Sequence, residues 1–318
     1  MRAKRSGAKR RRFLIHCLGR MDSSRARSVF WTRIGSFAAG IALQWPAGKP
    51  AVAHLSTWGE KAQKTRGCPR LDGTASLIET SQSPSPRVSV IIPVWNEAKS
   101  LPRVLGEVPR DQVAEIVVVD NGSTDGSAHA ARELGATVIH EPRRGYGAAC
   151  LAGLEYLRRD PPDIVVFLDG DFSDHPEELP RLLEPLRRNG CDMVVGSRVR
   201  GHAEPGSLLP QARFGNRLAV MLLRLLFRTR YTDLGPFRAV RFARLLELGM
   251  RDRDFGWTVE MQARAAQAGW KTAEVPVSYR RRVGESKISG TVSGSVRAGA
   301  KILLTIFRIW FEGRGHRR

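Results

Sequence analysis

From Val88 onward the chain alternates between short apolar runs and mixed stretches, with a regularity absent from the first 86 residues. Val88 to Val94 is nearly all apolar and predicts a strand covered on both faces, as buried parallel strands are. Glu115 to Asp120, Thr137 to His140, Asp163 to Leu168 and Asp192 to Gly196 predict four more strands. Helices are expected between them, at about 99–108, 125–134, 146–159 and 176–188. Such βαβα alternation implies an α/β fold: an open, mostly parallel, Rossmann-like sheet flanked by helices, with ligands at the strands' C-terminal ends.

Every candidate functional group falls at one of those ends. Asn96 and Glu97 follow the first strand, and Asp120-Asn121-Gly122-Ser123-Thr124-Asp125 closes the second. Arg143-Arg144-Gly145-Tyr146-Gly147 follows the third, Asp169-Gly170-Asp171 the fourth and Ser197-Arg198 the fifth. Taken singly, Asn-Gly is a turn, Asp125 a helix cap and Gly145 a bend. Five such loops converging on one sheet edge point instead to a ligand site.

The Asp169-Gly170-Asp171 triplet gives that site its chemistry. Two carboxylates separated by one small residue can hold a hard divalent cation, Mg²⁺ or Mn²⁺, that bridges diphosphate oxygens. The same triplet also builds ordinary turns. For a nucleotide-sugar donor, Asp120 can accept hydrogen bonds from a base edge and Glu97 can reach ribose or base. Arg143 or Arg144, with the Gly145-Tyr146-Gly147 backbone, can approach the nucleotide closely.

The net charge of +21 suggests nucleic-acid binding until it is divided. Residues 1–86 hold 16 Lys and Arg against 4 Asp and Glu, so +12 sits in a stretch that reads as a disordered basic extension. Within it, Arg10-Arg11-Arg12-Phe13-Leu14 weakly resembles a twin-arginine export signal, but its hydrophobic region is too short. A peripheral leader or an early start codon is the expectation there. Cys17, Cys68, Cys150 and Cys191 have no paired spacing, which argues against a disulfide framework or a zinc site and for a reducing compartment. A nucleic-acid binder would not place acidic loops at Asp120, Asp169 and Asp171. A dinucleotide oxidoreductase would carry its glycine motif after the first strand, and a nucleotidyltransferase a Gly-rich phosphate loop where Trp95-Asn96-Glu97 stands.

Val90-Ile91-Ile92-Pro93-Val94-Trp95-Asn96-Glu97, Val118-Val119-Asp120-Asn121-Gly122-Ser123-Thr124-Asp125-Gly126 and Asp169-Gly170-Asp171 resemble family 2 glycosyltransferases of the GT-A fold. Val195-Gly196-Ser197-Arg198, Asp233-Leu234-Gly235-Pro236-Phe237-Arg238 and Arg281-Arg282-Val283-Gly284-Glu285-Ser286-Lys287 resemble the polyprenyl (dolichyl) phosphate mannosyl- and glucosyltransferase branch. The resemblance implies a single GT-A catalytic domain over 87–290 that transfers a hexose, with inversion, from GDP-mannose or UDP-glucose to a polyprenyl phosphate. It puts Pro93, Trp95, Glu97, Asp120, Arg144, Asp169, Gly170 and Asp171 around the nucleotide sugar, with Asp169 and Asp171 on the metal. Arg281 and Lys287 meet the donor diphosphate, and Arg198 and Arg213 meet the acceptor phosphate; Asp171 and Arg198 are the residues expected to carry catalysis. Trp95 stands where Tyr is common, Asn121 where a second Asp is common, and Ser173 where a Gln can add a metal ligand.

A lipid phosphate is already anionic near neutral pH, so positioning matters more than a general base. Residues 291–318 fit this acceptor. Ile302 to Phe311 is apolar, flanked by Arg297, Lys301, Arg308 and Arg314, and too short to span a bilayer. It reads either as an interfacial helix on an anionic leaflet, or as a helix packed on the catalytic domain or a dimer partner. The expected setting is the cytoplasmic face of the membrane. A family 2 enzyme with a soluble or carbohydrate acceptor is the alternative, and it would need a general base. The sugar itself is not legible.

Overall fold

The structure, a computed structural model, describes residues 85–188, 190–284 and 292–315. The readings on residues 1–84 and on Lys287 lie outside the described residues.

All five expected strands form, as β1 (Val88–Val94), β2 (Glu115–Asp120), β3 (Thr137–His140), β4 (Ile164–Phe167) and β5 (Met193–Ser197). Two more complete the sheet: β6 (Arg238–Arg241) and β7 (Thr272–Pro276). The seven strands run in the order β3-β2-β1-β4-β6-β5-β7, all parallel except β6, which lies antiparallel between β4 and β5. The expected helices appear as α1 (Leu101–Glu107), α2 (Ser127–Glu133), α3 (Tyr146–Leu157) and α4 (Leu179–Arg188), the last preceded by a 3-10 turn at Pro176–Glu178. Beyond them lie α5 (Pro210–Phe227), α6 (Phe242–Glu247), α7 (Trp257–Gln267) and α8 (Val292–Gly315).

The apolar runs are continuous because both sheet faces are covered. Ile91, Val117, Val119, Val165 and Phe167 point into one core, with α3, α5, α7 and α8, while Val90, Ile92, Val118, Ile164 and Val166 point into the other, with α1, α2 and α4. Phe167 meets Trp257 of α7 edge to face, with ring centroids 5.9 Å apart.

Register brings the functional ends together. Val94 pairs with Asp120, and Asp120 with His140, so three strands end level with one another. β4 pairs with β1 only as far as Ile91. Beyond that point the chain turns through Asp169-Gly170-Asp171 under the end of β1. A Cβ on Gly170 would lie 3.1 Å from Val94 Cγ2, which is why the residue between the two acids is small.

Among the described residues no helix is long and apolar enough to cross a membrane. α8 buries Thr305, Ile306 and Ile309 while leaving Val296, Leu304 and Phe311 exposed. Cys150 and Cys191 are buried free thiols.

Candidate functional site

The loops after β1 and β2 build each other. Asn96 takes a left-handed conformation, with φ of 54°, and its Oδ1 accepts the Thr124 amide at 2.7 Å. Its own amide donates to Ser123 Oγ at 2.9 Å, and the Glu97 amide donates to Ser127 Oγ at 2.8 Å. Asp125 accepts the Ala98 amide at 3.0 Å and the Ser127 amide at 3.1 Å. Burial raises the Asp125 carboxyl, but these bonds outweigh it and hold the group below its ordinary value. Asp125 is thus a template for the β1 loop.

Asp120 is buried at the strand end, with Oδ1 accepting the Ser123 amide at 2.8 Å and Oδ2 3.3 Å from His140 Nδ1. Its neighbour Asn121 holds the next loop by three bonds. Nδ2 donates to the carbonyls of Glu141 (2.9 Å) and Arg143 (2.7 Å), and Oδ1 accepts the Gly145 amide at 2.8 Å. An amide can do all three; a carboxylate would face two carbonyl oxygens. This accounts for Asn where the family pattern has Asp.

These loops wall a cavity of about 530 Å³. Of the expected residues it gathers Pro93, Trp95, Glu97, Arg144, Asp169, Gly170 and Asp171, while Asp120 does not line it and its neighbour Asn121 does. Of the two candidate arginines, Arg144 is the one that lines it. Its guanidinium sits 4.3 Å above the Trp95 ring and Nη2 donates to Gly122 O at 2.9 Å. Gly145 and Gly147 let the backbone of 252–253 approach: a Cβ would fall 2.1 Å from Arg253 O or 2.2 Å from Asp252 O.

Asp169 is half-buried, and its buried Oδ1 has no hydrogen-bond partner among the described residues. Burial first, and the Asp171 charge second, push its carboxyl up to about 7, against the pull of Tyr146, Arg198 and Arg282. Asp171 accepts the Ser173 amide at 2.9 Å and the Ser173 hydroxyl on Oδ1, leaving Oδ2 for Arg282. Ser173 therefore orients the carboxylate. Asp174, missed by the sequence reading, is buried, and neither of its carboxylate oxygens has a hydrogen-bond partner among the described residues. Burial, then the Asp169 and Asp171 charges, push its carboxyl well above the ordinary range.

The three consecutive arginines after β7 have three separate roles. Arg280 clamps Glu107 and the Phe172 and Asp174 carbonyls. Arg281, expected at the donor, instead donates to Pro205 O at 2.8 Å, with its amide on Glu204 Oε2 at 2.9 Å, and does not line the cavity. Arg282 does line it, with Nη2 3.0 Å from Glu97 Oε1 and Nη1 3.2 Å from Asp171 Oδ2.

Arg198 and Arg213 come together at a second cavity of about 740 Å³, with Arg217 and the apolar Val199, Leu208, Phe214 and Val220. Arg198 is not a free cation. Its Nε and Nη2 each lie 2.8 Å from the carboxylate of Asp233, which is 1% exposed, and its amide donates to the same group at 2.8 Å. Burial lowers the Arg198 pKa, but the Asp233 charge outweighs it and keeps the guanidinium firmly protonated. Arg238 of the same motif is wholly buried, its guanidinium spent on the Leu234, Gly235 and Thr258 carbonyls.

A family model described as Glycosyl transferase family 2 matches residues 89–248. An uncharacterised glycosyltransferase of Mycobacterium bovis is 42% identical over 214 residues, covering 66% of this chain and 94% of its own. The undecaprenyl-phosphate mannosyltransferase of Micrococcus luteus is 36% identical over 225 residues, 65% of this chain and 90% of its own. Among solved structures, glucosyl-3-phosphoglycerate synthase from Mycobacterium tuberculosis, with Mn²⁺, UDP and phosphoglyceric acid, superposes with a TM-score of 0.57 at 22% identity. That match covers 71% of this chain and 78% of the other, and the likeness is one of fold.

Proposed function

The chain belongs to glycosyl transferase family 2 and is a glycosyltransferase, and from that premise we propose that it transfers a hexose from a nucleotide sugar to a polyprenyl phosphate with inversion. The observation that carries this reading is the pair of cavities. One joins base-side groups to two adjacent carboxylates; the other joins arginines to an apolar wall.

In the first cavity Asp169 and Asp171 would hold Mg²⁺ or Mn²⁺. The residues fit such a cation: both offer hard oxygen donors, and buried Asp169 Oδ1 has no partner among the described residues. Among the described residues no cluster of three or more His, Cys, Asp or Glu could hold a metal alone, so donor phosphate oxygens and water would complete the shell. When bound, the ion adds positive charge where the departing diphosphate gains negative charge. Trp95, Glu97, Asn121 and Arg144 would hold the nucleoside.

In the second cavity Arg213 and Arg217 would meet the acceptor phosphate, with Arg198 at its inner end. Val199, Leu208, Phe214 and Val220 suit the first isoprene units better than a sugar. The phosphate needs orienting rather than deprotonation, since its second pKa is about 6. The relative acting on undecaprenyl phosphate supports this choice of acceptor class. So do the exposed apolar residues Phe214, Met221 and Leu225 on α5 and Val296, Leu304 and Phe311 on α8, set among arginines and Lys301 as on helices that lie on an anionic membrane. The protein would act there as a peripheral protein.

The test is to incubate the protein with GDP-mannose or UDP-glucose, Mn²⁺ and either polyprenyl phosphate or soluble acceptors, and to analyse the products. A β-linked polyprenyl phosphohexose is expected. Transfer to soluble acceptors alone would replace the lipid reading with the soluble-acceptor one.

A further inference from the structure

α8 meets the catalytic core along one stripe. Lys301 Nζ lies 3.3 Å and Thr305 Oγ1 3.4 Å from Asp252 Oδ2, and Arg308 Nη2 lies 3.5 Å from Glu260 Oε1. Ile306 and Ile309 are buried, and Gln267 Nε2 donates to Ile309 O at 2.6 Å. Positions 301, 305 and 308 follow the three-to-four-residue spacing of a single helix face.

The next position up that stripe, four residues before Lys301, is Arg297. There the stripe reaches the first cavity, which Arg297 lines together with Asp254, Phe255, Asp169 and Asp171. The wall is built firmly at this point. Asp252 Oδ1 accepts the Asp254 amide at 2.9 Å and the Gly256 amide at 3.1 Å, and Arg253 O accepts the Ala148 amide at 2.9 Å.

Among the described residues, three arginines line this cavity. Arg144 is stacked on Trp95 and bonded to Gly122 O, and Arg282 is shared between Glu97 and Asp171. The Arg297 side chain has no hydrogen bond or ion pair among the described residues. We infer that Arg297, supplied by the C-terminal helix, is a further donor-binding residue that engages the diphosphate of the nucleotide sugar; this rests on the donor-site reading above. The diphosphate is the charged part of such a donor, and a guanidinium meets its oxygens with paired hydrogen bonds. Arg297 can do so without breaking an existing pair. Its contribution also grows as the diphosphate departs and gains charge.

The experiment compares wild type, Arg297→Met and Arg297→Lys by calorimetry with UDP and with GDP, each with MnCl₂, and with MnCl₂ alone. The Met variant is expected to bind the preferred nucleoside diphosphate about ten-fold more weakly, a loss typical of one charged hydrogen bond. The Lys variant should fall between, with Mn²⁺ binding and melting temperature unchanged in both. Equal nucleoside diphosphate affinity in wild type and Arg297→Met would overturn the inference. If neither UDP nor GDP binds wild type in the presence of Mn²⁺, the donor-site reading fails first and takes this inference with it.

Discussion

Arg282 holds Asp171: its Nη1 lies 3.2 Å from Asp171 Oδ2, while Nη2 reaches Glu97 Oε1 at 3.0 Å. One side chain thus balances the charge of a proposed metal ligand and a proposed ribose ligand. A cation arriving at Asp171 competes with that guanidinium. Arg282→Met is expected to bind Mn²⁺ several-fold more tightly than wild type in the absence of nucleotide, while turning over nucleotide sugar more slowly. Mn²⁺ titration followed by electron paramagnetic resonance measures the first effect. Unchanged Mn²⁺ affinity would mean that the ion does not use Asp171 Oδ2.

Asp171→Ala should leave melting nearly unchanged, because the carboxylate sits at a strand end outside both apolar cores. Transfer should drop by orders of magnitude, since a metal ligand contributes several kcal/mol to the transition state. Full activity of wild type in excess EDTA, or near-normal turnover of the variant, would contradict the metal assignment.

The acceptor arginines need separate handling. Arg198→Ala would leave the buried Asp233 carboxylate without its guanidinium partner, a change that costs about 3–5 kcal/mol. A large fall in melting temperature is expected, which makes that variant a poor probe of acceptor binding. Arg213, exposed at the same cavity, is the cleaner one. Arg213→Ala should raise KM for polyprenyl phosphate and leave donor affinity by calorimetry unchanged. An equal loss of donor affinity would move Arg213 to the other site.

Asn121→Asp should loosen the 141–145 loop. It replaces two donated hydrogen bonds with contacts between a carboxylate and carbonyl oxygens, at about 1–3 kcal/mol for the unsatisfied groups. Chemical denaturation reads the stability, and calorimetry with UDP or GDP should show weaker nucleotide binding.

Asp174 makes stability depend on pH in an unusual direction. Its folded pKa is raised, so between the unfolded value of about 4 and the folded one the native state holds the extra proton. Stability from this group is therefore present at low pH and lost as pH rises through that window. Asp174→Asn cannot ionise, so its advantage in melting temperature over wild type should widen between pH 5 and pH 8. A constant difference across that range would show that folding does not raise the Asp174 carboxyl above its unfolded value.

The half of the fold that was legible announces itself by continuous apolar strands. β1 through β5 are buried on both faces and read as such, and their C-terminal loops follow from the alternation. β6 did not read as a strand because Arg238 and Arg241 flank only two apolar residues. Arg238 is buried and Arg241 half-buried, both with their guanidinium groups on backbone carbonyls, which a hydropathy pattern registers as exposure. β7 is an edge strand, only half-buried, and lacks the apolar run. Arg282, rather than the expected Arg281, lines the cavity because which neighbour faces it is set by tertiary contacts: the Val283 amide on Asp171 O, and Glu204 and Pro205 on the far side. The Arg198–Asp233 pair joins residues 35 apart in sequence, and no local spacing marks it.

The 252–256 loop, gripped by α8 on one side and by Gly145 and Gly147 on the other, bears on where this enzyme can be cut. The region matched by the family model stops at residue 248. A chain trimmed there would keep both carboxylates of the triplet and every strand through β6. It would lose the wall formed by Asp254, Phe255 and Arg297, the acceptor for the Ala148 amide, and the helix α7 that covers Phe167. Minimal versions for crystallisation, and chimeras that exchange donor preference between relatives, therefore need their C-terminal boundary after α8, with loop and helix moved as one piece.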